Sequence, residues 1–122
     1  MKKKVLIVDD EVDLVETLKF KLEASGFDTL TAYDGLEALS KAKNDHPDLI
    51  LLDIMLPKLN GYQICRELKS DDKYKHIPIV MLTAKAQESD KFWGLETGAD
   101  EYVTKPFDSN QLIDIIKKHL SS

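Results

Sequence analysis

Five side chains suited to ionic or phosphoryl chemistry each follow a short aliphatic run of this 122-residue chain. Asp9 and Asp10 come directly after VLIV, and Asp53 comes directly after LILL. Thr83 follows IVML, and Lys105 is the second residue after EYV. If the runs are parallel strands, their carboxyl ends share one edge of a sheet, where such folds place their functional crevice. We therefore expect three carboxylates, a hydroxyl and an ammonium to converge there.

The three carboxylates need a compensating positive charge. Two unit charges about 4 Å apart repel by roughly 4 kcal/mol at an effective dielectric constant near 20. A hard divalent cation relieves this repulsion, and carboxylates with water and a phosphate are the usual ligands of Mg²⁺. Zinc fits less well, because neither His nor Cys is among these residues. The sequence therefore predicts a magnesium site built on Asp9, Asp10 and Asp53.

The same residues are suited to phosphoryl transfer. A transferring phosphoryl group spreads charge over three oxygens, and each oxygen needs a partner. A cation, the Lys105 ammonium and the Thr83 hydroxyl could supply these partners. The Asp53 carboxylate would then be the attacking nucleophile, an established role for aspartate.

Alternating elements position these residues. Strands are predicted at 5–8, 29–32, 49–52, 79–82 and 101–103. Apolar residues at helical spacing predict a helix after each strand, in the segments around Leu14–Leu22, Ala38–Ala42, Ile64–Leu68, Phe92–Leu95 and Leu112–Leu120. Helix ends are predicted from Gly26 and Gly98, and helix starts from the pairs Asp34/Glu37, Asn60/Gln63 and Asp108/Gln111.

Five strand–helix units, with strands apolar on both faces, are typical of a parallel sheet covered by helices on both sides. We predict a single α/β domain over residues 1–122, a doubly wound (βα)5 fold of the flavodoxin-like type with strand order 2-1-3-4-5. Cys65 falls on an apolar helix face and is expected to be a buried thiol.

Composition narrows the class of protein. A net charge of −5 argues against direct nucleic-acid binding by this chain, and no apolar run approaches the roughly 20 residues of a membrane span. A single cysteine suits a reducing compartment, so we expect a cytoplasmic protein.

Four segments together resemble the response-regulator receiver domain of two-component signalling, including the chemotaxis regulators. They are VLIVDDE (5–11), LILLDIMLPKLNG (49–61), IVMLTA (79–84) and GADEYVTKPF (98–107), and the resemblance covers essentially the whole chain. It implies that Asp53 accepts a phosphoryl group from the phosphohistidine of a sensor histidine kinase or a histidine phosphotransfer protein, as in a phosphorelay. It also implies a phosphoacceptor that assists its own phosphorylation and dephosphorylation, not a turnover enzyme.

The resemblance assigns further roles by position. Asp10, Asp53 and the backbone carbonyl of Met55 would bind Mg²⁺, for which Mn²⁺ could substitute, and Asp9 would act through water. Lys105 and Thr83 would contact phosphoryl oxygens, and Tyr102 would turn inward with Thr83 on activation. The Lys105–Pro106 bond would be cis. The residues to which the resemblance gives a role are Asp9, Asp10, Asp53, Met55, Thr83, Tyr102, Lys105 and Pro106.

Two further expectations concern signal lifetime and output. Met55 and Lys85 occupy positions that tune phosphoryl lifetime in the family. Because a methionine cannot orient an attacking water, we expect slow self-dephosphorylation. The resemblance also implies that the fourth helix, the fifth strand and the last helix contact a downstream protein. Trp93 would either pack on a neighbouring element or stay partly exposed as an anchor for that protein.

Two other functions would fit parts of the pattern. A phosphohydrolase of the haloacid-dehalogenase kind also uses a strand-end aspartate, but it needs an acid two residues later, where this chain has Met55. Repeated release of phosphate from a phosphomonoester would identify that activity. Flavin binding on the same scaffold would need a first loop of small and hydroxyl residues, but the loop here is DDEVD, and a colourless protein would exclude it.

Overall fold

The computed structural model describes residues 2–83 and 98–121. Its five strands are β1 (Lys4–Val8), β2 (Asp28–Ala32), β3 (Leu49–Asp53), β4 (Ile79–Thr83) and β5 (Glu101–Thr104). Its helices are α1 (Val12–Ala24), α2 (Gly35–Asn44), α3 (Gly61–Lys69) and a C-terminal helix (Ser109–Leu120). The predicted fourth helix, with Lys85, Phe92, Trp93 and Leu95, lies outside the described residues.

All four strand pairs are parallel, and the order across the sheet is β2-β1-β3-β4-β5. This confirms the predicted topology. β3 and β4 are buried at every position, which explains why their sequences lack the alternation of a strand with one solvated face. Each strand extends one residue beyond the predicted run at one end. As a result, Asp53 and Thr83 are the last residues of their strands rather than the first residues of loops.

Helices cover both faces of the sheet, as predicted. Leu6 and Val8 of β1 belong to a buried cluster with side chains of α2 and α3. Val5 and Ile7 belong to the cluster on the other face, formed with α1 and the C-terminal helix. The Cys65 thiol is buried in the first cluster, as expected.

The predicted helix starts are confirmed, with one difference in detail. Asn60 and Gln63 form a complete capping box, because each side chain accepts a hydrogen bond from the other residue's backbone N–H. Asp34 accepts from the N–H of Glu37, but the Glu37 carboxylate accepts from Tyr33 N–H, not from Asp34. Asp108 accepts from the N–H groups of Asn110 and Gln111. These caps fix the residues at which α2, α3 and the C-terminal helix begin.

Two further features concern membrane insertion and the packing of the C-terminal helix. No helix in the described ranges has the length and apolar character needed to span a membrane. The C-terminal helix is joined to β5 by a contact of 3.0 Å between His119 Nε2 and Glu101 Oε1. The positions of β5, at one edge of the sheet, are all partly exposed.

Candidate functional site

Asp53 ends β3 at the carboxyl edge of the sheet, and only 5% of its surface is exposed. It pairs in register with Leu82 of β4. The next residue, Ile54, donates its N–H to the Leu82 carbonyl at 3.1 Å, so the chain stays in line with β4 just beyond the carboxylate. This pairing gives Asp53 a fixed position on a rigid element.

Asp9 and Asp10 follow β1 and face different environments. Asp9 is fully buried and Asp10 is exposed, although the two are adjacent in the chain. The N–H of Asp9 donates to the carbonyl of Ala32 at 3.2 Å, which continues the β1–β2 pairing past the end of β1. One carboxylate oxygen from each of Asp9, Asp10 and Asp53 lies within 4.8 Å of the others. The predicted convergence of the three carboxylates is therefore present.

Lys105 completes the cluster from the other side. Its main-chain N–H donates to the Thr83 carbonyl, so the end of β5 stays attached to the end of β4. The following peptide bond, Lys105–Pro106, is cis, as expected. The Lys105 ammonium lies 2.6 Å from Asp9 Oδ2 and 3.8 Å from Asp53 Oδ2. Its side chain is 14% exposed, so it supplies a largely buried positive charge beside two buried carboxylates.

The charges in the cluster change the protonation equilibria. Burial and, next, the neighbouring charge of Asp9 together raise the pKa of Asp53 to about 6, and Lys105 opposes the rise. Burial favours the neutral form of Lys105, but the hydrogen bond to Asp9 and the charge of Asp53 outweigh it and raise the Lys105 pKa above its usual value. At neutral pH, Asp53 is thus mostly an ionised carboxylate in an unfavourable environment, and Lys105 remains an ammonium.

The donor set fits a hard divalent cation. It contains three carboxylates whose oxygens lie within 4.8 Å of one another, and within residues 2–83 and 98–121 the largely buried ammonium beside them is that of Lys105. One of the three, Asp10, is exposed, which leaves a ligand accessible from solvent. Oxygen ligands with an open side are typical of Mg²⁺, which keeps several of its waters.

A model of the response regulator receiver domain matches residues 5–117. This chain belongs to the response regulator receiver domain family. It is therefore a receiver domain of two-component signalling. It is 53% identical, over 112 residues, to the alkaline phosphatase synthesis transcriptional regulatory protein PhoP of Bacillus subtilis. The match covers 92% of this chain and 46% of PhoP, so the chain spans about half the length of that curated relative.

Solved structures show the same fold at lower identity. The chemotaxis protein CheY4 of Vibrio cholerae is 32% identical, with a TM-score of 0.92, and the match covers 98% of this chain and 100% of CheY4. The receiver domain of Francisella response regulator 1452 is 34% identical, with a TM-score of 0.90, covering 97% of this chain and 96% of the other. The family match does not favour the haloacid-dehalogenase alternative.

Thr83 and Tyr102 of this receiver domain lie on one face of the sheet. Tyr102 pairs in register with Met81, which is two residues before Thr83, and side chains two apart point to the same face of a strand. Tyr102 packs against the cluster that contains Met81, and its hydroxyl oxygen is buried. Thr83 is 6% exposed at the end of β4. Tyr102 as a whole is thus partly exposed, while its hydroxyl end lies inside the protein.

Met55 contacts Asp53 through its backbone and is exposed to solvent. Its N–H donates to Asp53 Oδ1 at 3.4 Å, a long hydrogen bond, while its side chain is 74% exposed. The second position assigned to phosphoryl lifetime, Lys85, and the candidate anchor Trp93 both lie outside the described residues.

The loop after Asp53 is held tightly against α3. A Cβ added to Gly61, the first residue of α3, would lie 2.5 Å from the Asp53 carbonyl oxygen and 2.9 Å from Ile54 Cα. The N–H of Gly61 donates to the Ile54 carbonyl at 2.9 Å. Only a residue without a side chain allows this approach, so Gly61 helps to set the course of the chain just after Asp53.

The sequence reasoning missed Glu11. Its N–H donates to Asp9 Oδ1 at 2.9 Å, and its carboxylate oxygen Oε1 lies 3.4 Å from the Lys105 ammonium. Glu11 holds the N-cap position of α1 but makes no side-chain cap there, so its carboxylate is available to Lys105. Its place directly after two aspartates gives no local signal for a contact with a residue so distant in the chain. Glu11 and Lys105 also line a neighbouring cleft of about 390 Å³, with Leu14, Pro106, Phe107 and Ser109.

Proposed function

We propose that this receiver domain accepts a phosphoryl group on Asp53 from the phosphohistidine of a sensor histidine kinase or a histidine phosphotransfer protein. The observation that carries the proposal is the arrangement at the end of β3. A buried carboxylate lies beside two further carboxylates and a buried ammonium, Lys105. Burial and the charge of Asp9 raise the pKa of Asp53, which makes its carboxylate a more basic nucleophile than an ordinary aspartate. The acyl phosphate that forms adds negative charge, which Lys105 and the assigned cation balance.

The phosphoryl transfer is a displacement reaction at phosphorus. An oxygen of the Asp53 carboxylate forms a bond to phosphorus, and the phosphorus–nitrogen bond of the donor histidine breaks. The electron pair of that bond stays with the imidazole nitrogen, which is protonated from solvent. Charge on the phosphoryl oxygens is stabilised by the Lys105 ammonium and the Thr83 hydroxyl, which follow neighbouring strands.

Asp10, Asp53 and the backbone carbonyl of Met55 are the residues that we assign to hold Mg²⁺, with Asp9 acting through water. When bound, the cation supplies positive charge to the carboxylates and to the phosphoryl oxygens. The carboxylate side of this assignment is supported by the three oxygens that lie within 4.8 Å of one another. The part assigned to the Met55 carbonyl rests on the family resemblance.

Phosphorylation acts as a switch in this proposal. The new oxygens attract the Thr83 hydroxyl, and Tyr102, on the same sheet face, occupies the vacated space. The buried hydroxyl of Tyr102 and its packing against the Met81 cluster support this part of the proposal, because the side chain already contacts the face on which Thr83 lies. A protein partner then binds the changed surface. This surface consists of β5, the C-terminal helix and the segment between β4 and β5, which includes Trp93.

We propose that the domain is not a turnover enzyme and does not itself bind nucleic acid. Its net charge of −5 supports the second statement. Residue 55 is a methionine, so the general acid of a haloacid-dehalogenase enzyme is missing from its position. PhoP is named a transcriptional regulatory protein, and this chain spans 46% of its length. In a second form of the proposal, the domain therefore acts as one part of a longer regulator.

The test is phosphorylation by a small donor. The purified chain is incubated with Mg²⁺ and acetyl phosphate, and its intact mass is measured with and without EDTA. We expect one phosphoryl group on the wild type in the presence of Mg²⁺ and none on Asp53→Asn. Asp28→Asn, at the opposite end of the sheet, is the matched control and should be labelled like the wild type. Equal labelling of Asp53→Asn and wild type would overturn the assignment, and phosphate release in large excess over protein would indicate an enzyme.

A further inference from the structure

Glu11 contacts two members of the site in different ways. Its backbone N–H donates to Asp9 Oδ1 at 2.9 Å, and Lys105 binds the other oxygen of the same carboxylate at 2.6 Å. Both oxygens of the buried Asp9 are therefore engaged. The side chain of Glu11 then approaches the same ammonium, with Oε1 at 3.4 Å from Lys105 Nζ.

The three carboxylates around Lys105 lie at unequal distances. The order is 2.6 Å for Asp9, 3.4 Å for Glu11 and 3.8 Å for Asp53. The two shorter contacts place the ammonium on the side of Asp9 and Glu11 rather than beside the Asp53 carboxylate. A phosphoryl oxygen on Asp53 would compete with these two contacts for the N–H donors of Lys105.

We infer that Glu11 is a positioning residue, whose carboxylate holds Lys105 on the Asp9 side of the site in the unphosphorylated protein. The inference rests on the proposed function for its kinetic consequence. Glu11 restrains the movement of Lys105 toward Asp53 and so slows phosphorylation. Its side chain is 65% exposed, whereas that of Asp9 is fully buried. A partner or an ion that draws Glu11 away can therefore release part of the restraint without unfolding the site.

The expected size of the effect on the phosphorylation rate follows from the exposure of the Glu11 side chain. Ion pairs with one solvated partner contribute little, typically enough to change a rate or an equilibrium by about two- to fivefold. We expect Glu11→Gln to raise the maximal rate of phosphorylation by acetyl phosphate by about that factor, at saturating Mg²⁺. Half-saturation by the donor should not change, because in this proposal Lys105 stabilises the phosphoryl group during transfer and not the binding of the free donor.

Two control variants separate positioning from charge. Asp13→Asn removes the same charge from the first turn of α1 and should leave the rate unchanged. Glu11→Asp keeps the charge but is one methylene shorter, so its carboxylate draws back from Lys105, and it should behave like Glu11→Gln. In a Lys105→Met background, Glu11→Gln should have no further effect, because it acts only through Lys105.

A second measurement does not depend on phosphorylation. In the metal-free protein, the NMR signal of the Lys105 ε-methylene group should shift on Glu11→Gln and on Glu11→Asp, but not on Asp13→Asn. Equal maximal rates and an unshifted signal in Glu11→Gln would overturn the inference. So would an effect that persists in the Lys105→Met background, or a Glu11→Asp variant that matches the wild type. If the wild type is not phosphorylated at all, the proposed function fails, and the NMR signal alone decides the position of Lys105.

Discussion

The Lys105 ammonium lies closer to Asp9 than to Asp53, at 2.6 Å from Asp9 Oδ2 and 3.8 Å from Asp53 Oδ2. Asp9 has no exposed surface, so this contact is a buried ion pair. Lys105 therefore has a structural role in the resting protein and a proposed chemical role beside the phosphoacceptor.

Loss of the lysine should destabilise the fold. Lys105→Met leaves the Asp9 carboxylate buried without its cation, and breaking such a pair costs about 3 kcal/mol. The free energy of unfolding should fall by that amount in urea titrations without Mg²⁺. Adding Asp9→Asn to Lys105→Met removes the uncompensated charge and should restore most of the loss. A Lys105→Met protein as stable as the wild type would show that the pair contributes nothing.

The raised pKa of Asp53 predicts how stability depends on pH. The folded value is about 6, against about 3.9 in the unfolded chain. Between these values the folded state holds more protons, so the stabilising contribution of Asp53 is present below pH 4 and lost as pH rises through 6. The stability advantage of Asp53→Asn over the wild type should therefore grow across this range, by at most about 3 kcal/mol. Urea titrations in EDTA from pH 4 to 8 measure it, and a constant difference would contradict the assigned pKa.

Removal of the exposed acid in the cluster should stabilise the metal-free protein. Asp10 adds to the repulsion on Asp53, so Asp10→Asn should raise the melting temperature in EDTA. The same variant should lose most of the stabilisation that Mg²⁺ gives to the wild type, because it lacks a ligand. Asp28→Asn is the control. A lower melting temperature of Asp10→Asn in EDTA would argue against clustered repulsion.

Close packing around Gly61 predicts a large effect of one methyl group. In Gly61→Ala the new Cβ would lie 2.5 Å from the Asp53 carbonyl oxygen, so the loop or α3 must shift, at a cost of about 1–3 kcal/mol. The displaced loop should also weaken Mg²⁺ binding measured by calorimetry. Gly26→Ala is the comparison: its φ of +98° strains an alanine, but a Cβ there meets nothing within 4 Å. It should lose stability without any change in Mg²⁺ affinity.

The exposed side chain of Met55 offers a test of phosphoryl lifetime. Met55→Asn places a group able to orient water beside Asp53 and should speed loss of the phosphoryl group several-fold. Because Met55 is 74% exposed, the stability should change by less than about 0.5 kcal/mol. Leu36→Asn, at another exposed apolar position, is the control for added polarity. A wild-type half-life of seconds that Met55→Asn leaves unchanged would rule out this role.

Much of the fold could be predicted because its signals are local. The aliphatic runs that became β1, β3 and β4 are buried on both faces, so each reads as a continuous apolar segment. Asn60 and Gln63 satisfy each other within one turn, so their spacing alone identifies a helix start. The approach of Asp9, Asp10 and Asp53 followed from topology, because strand ends at one edge must meet.

The ion pairs of the site could not be predicted in the same way. Lys105 is 96 residues from Asp9 and 94 from Glu11, and their approach depends on how β1 and β5 are placed across the sheet. The return hydrogen bond of Glu37 also differs from its predicted partner, because Tyr33 N–H is the donor that the bend before α2 presents. Such contacts depend on small differences in backbone direction.

The sequence by itself determined the order of the elements, the edge at which the carboxylates meet and the family resemblance, since each depends on residue type and local spacing. Only the tertiary structure decided that Asp9 is buried while Asp10 is exposed, and that Lys105 binds Asp9 in preference to Asp53. The physical reason is that burial and charge pairing depend on distances between segments far apart in the chain. Those distances exist only after the sheet has formed.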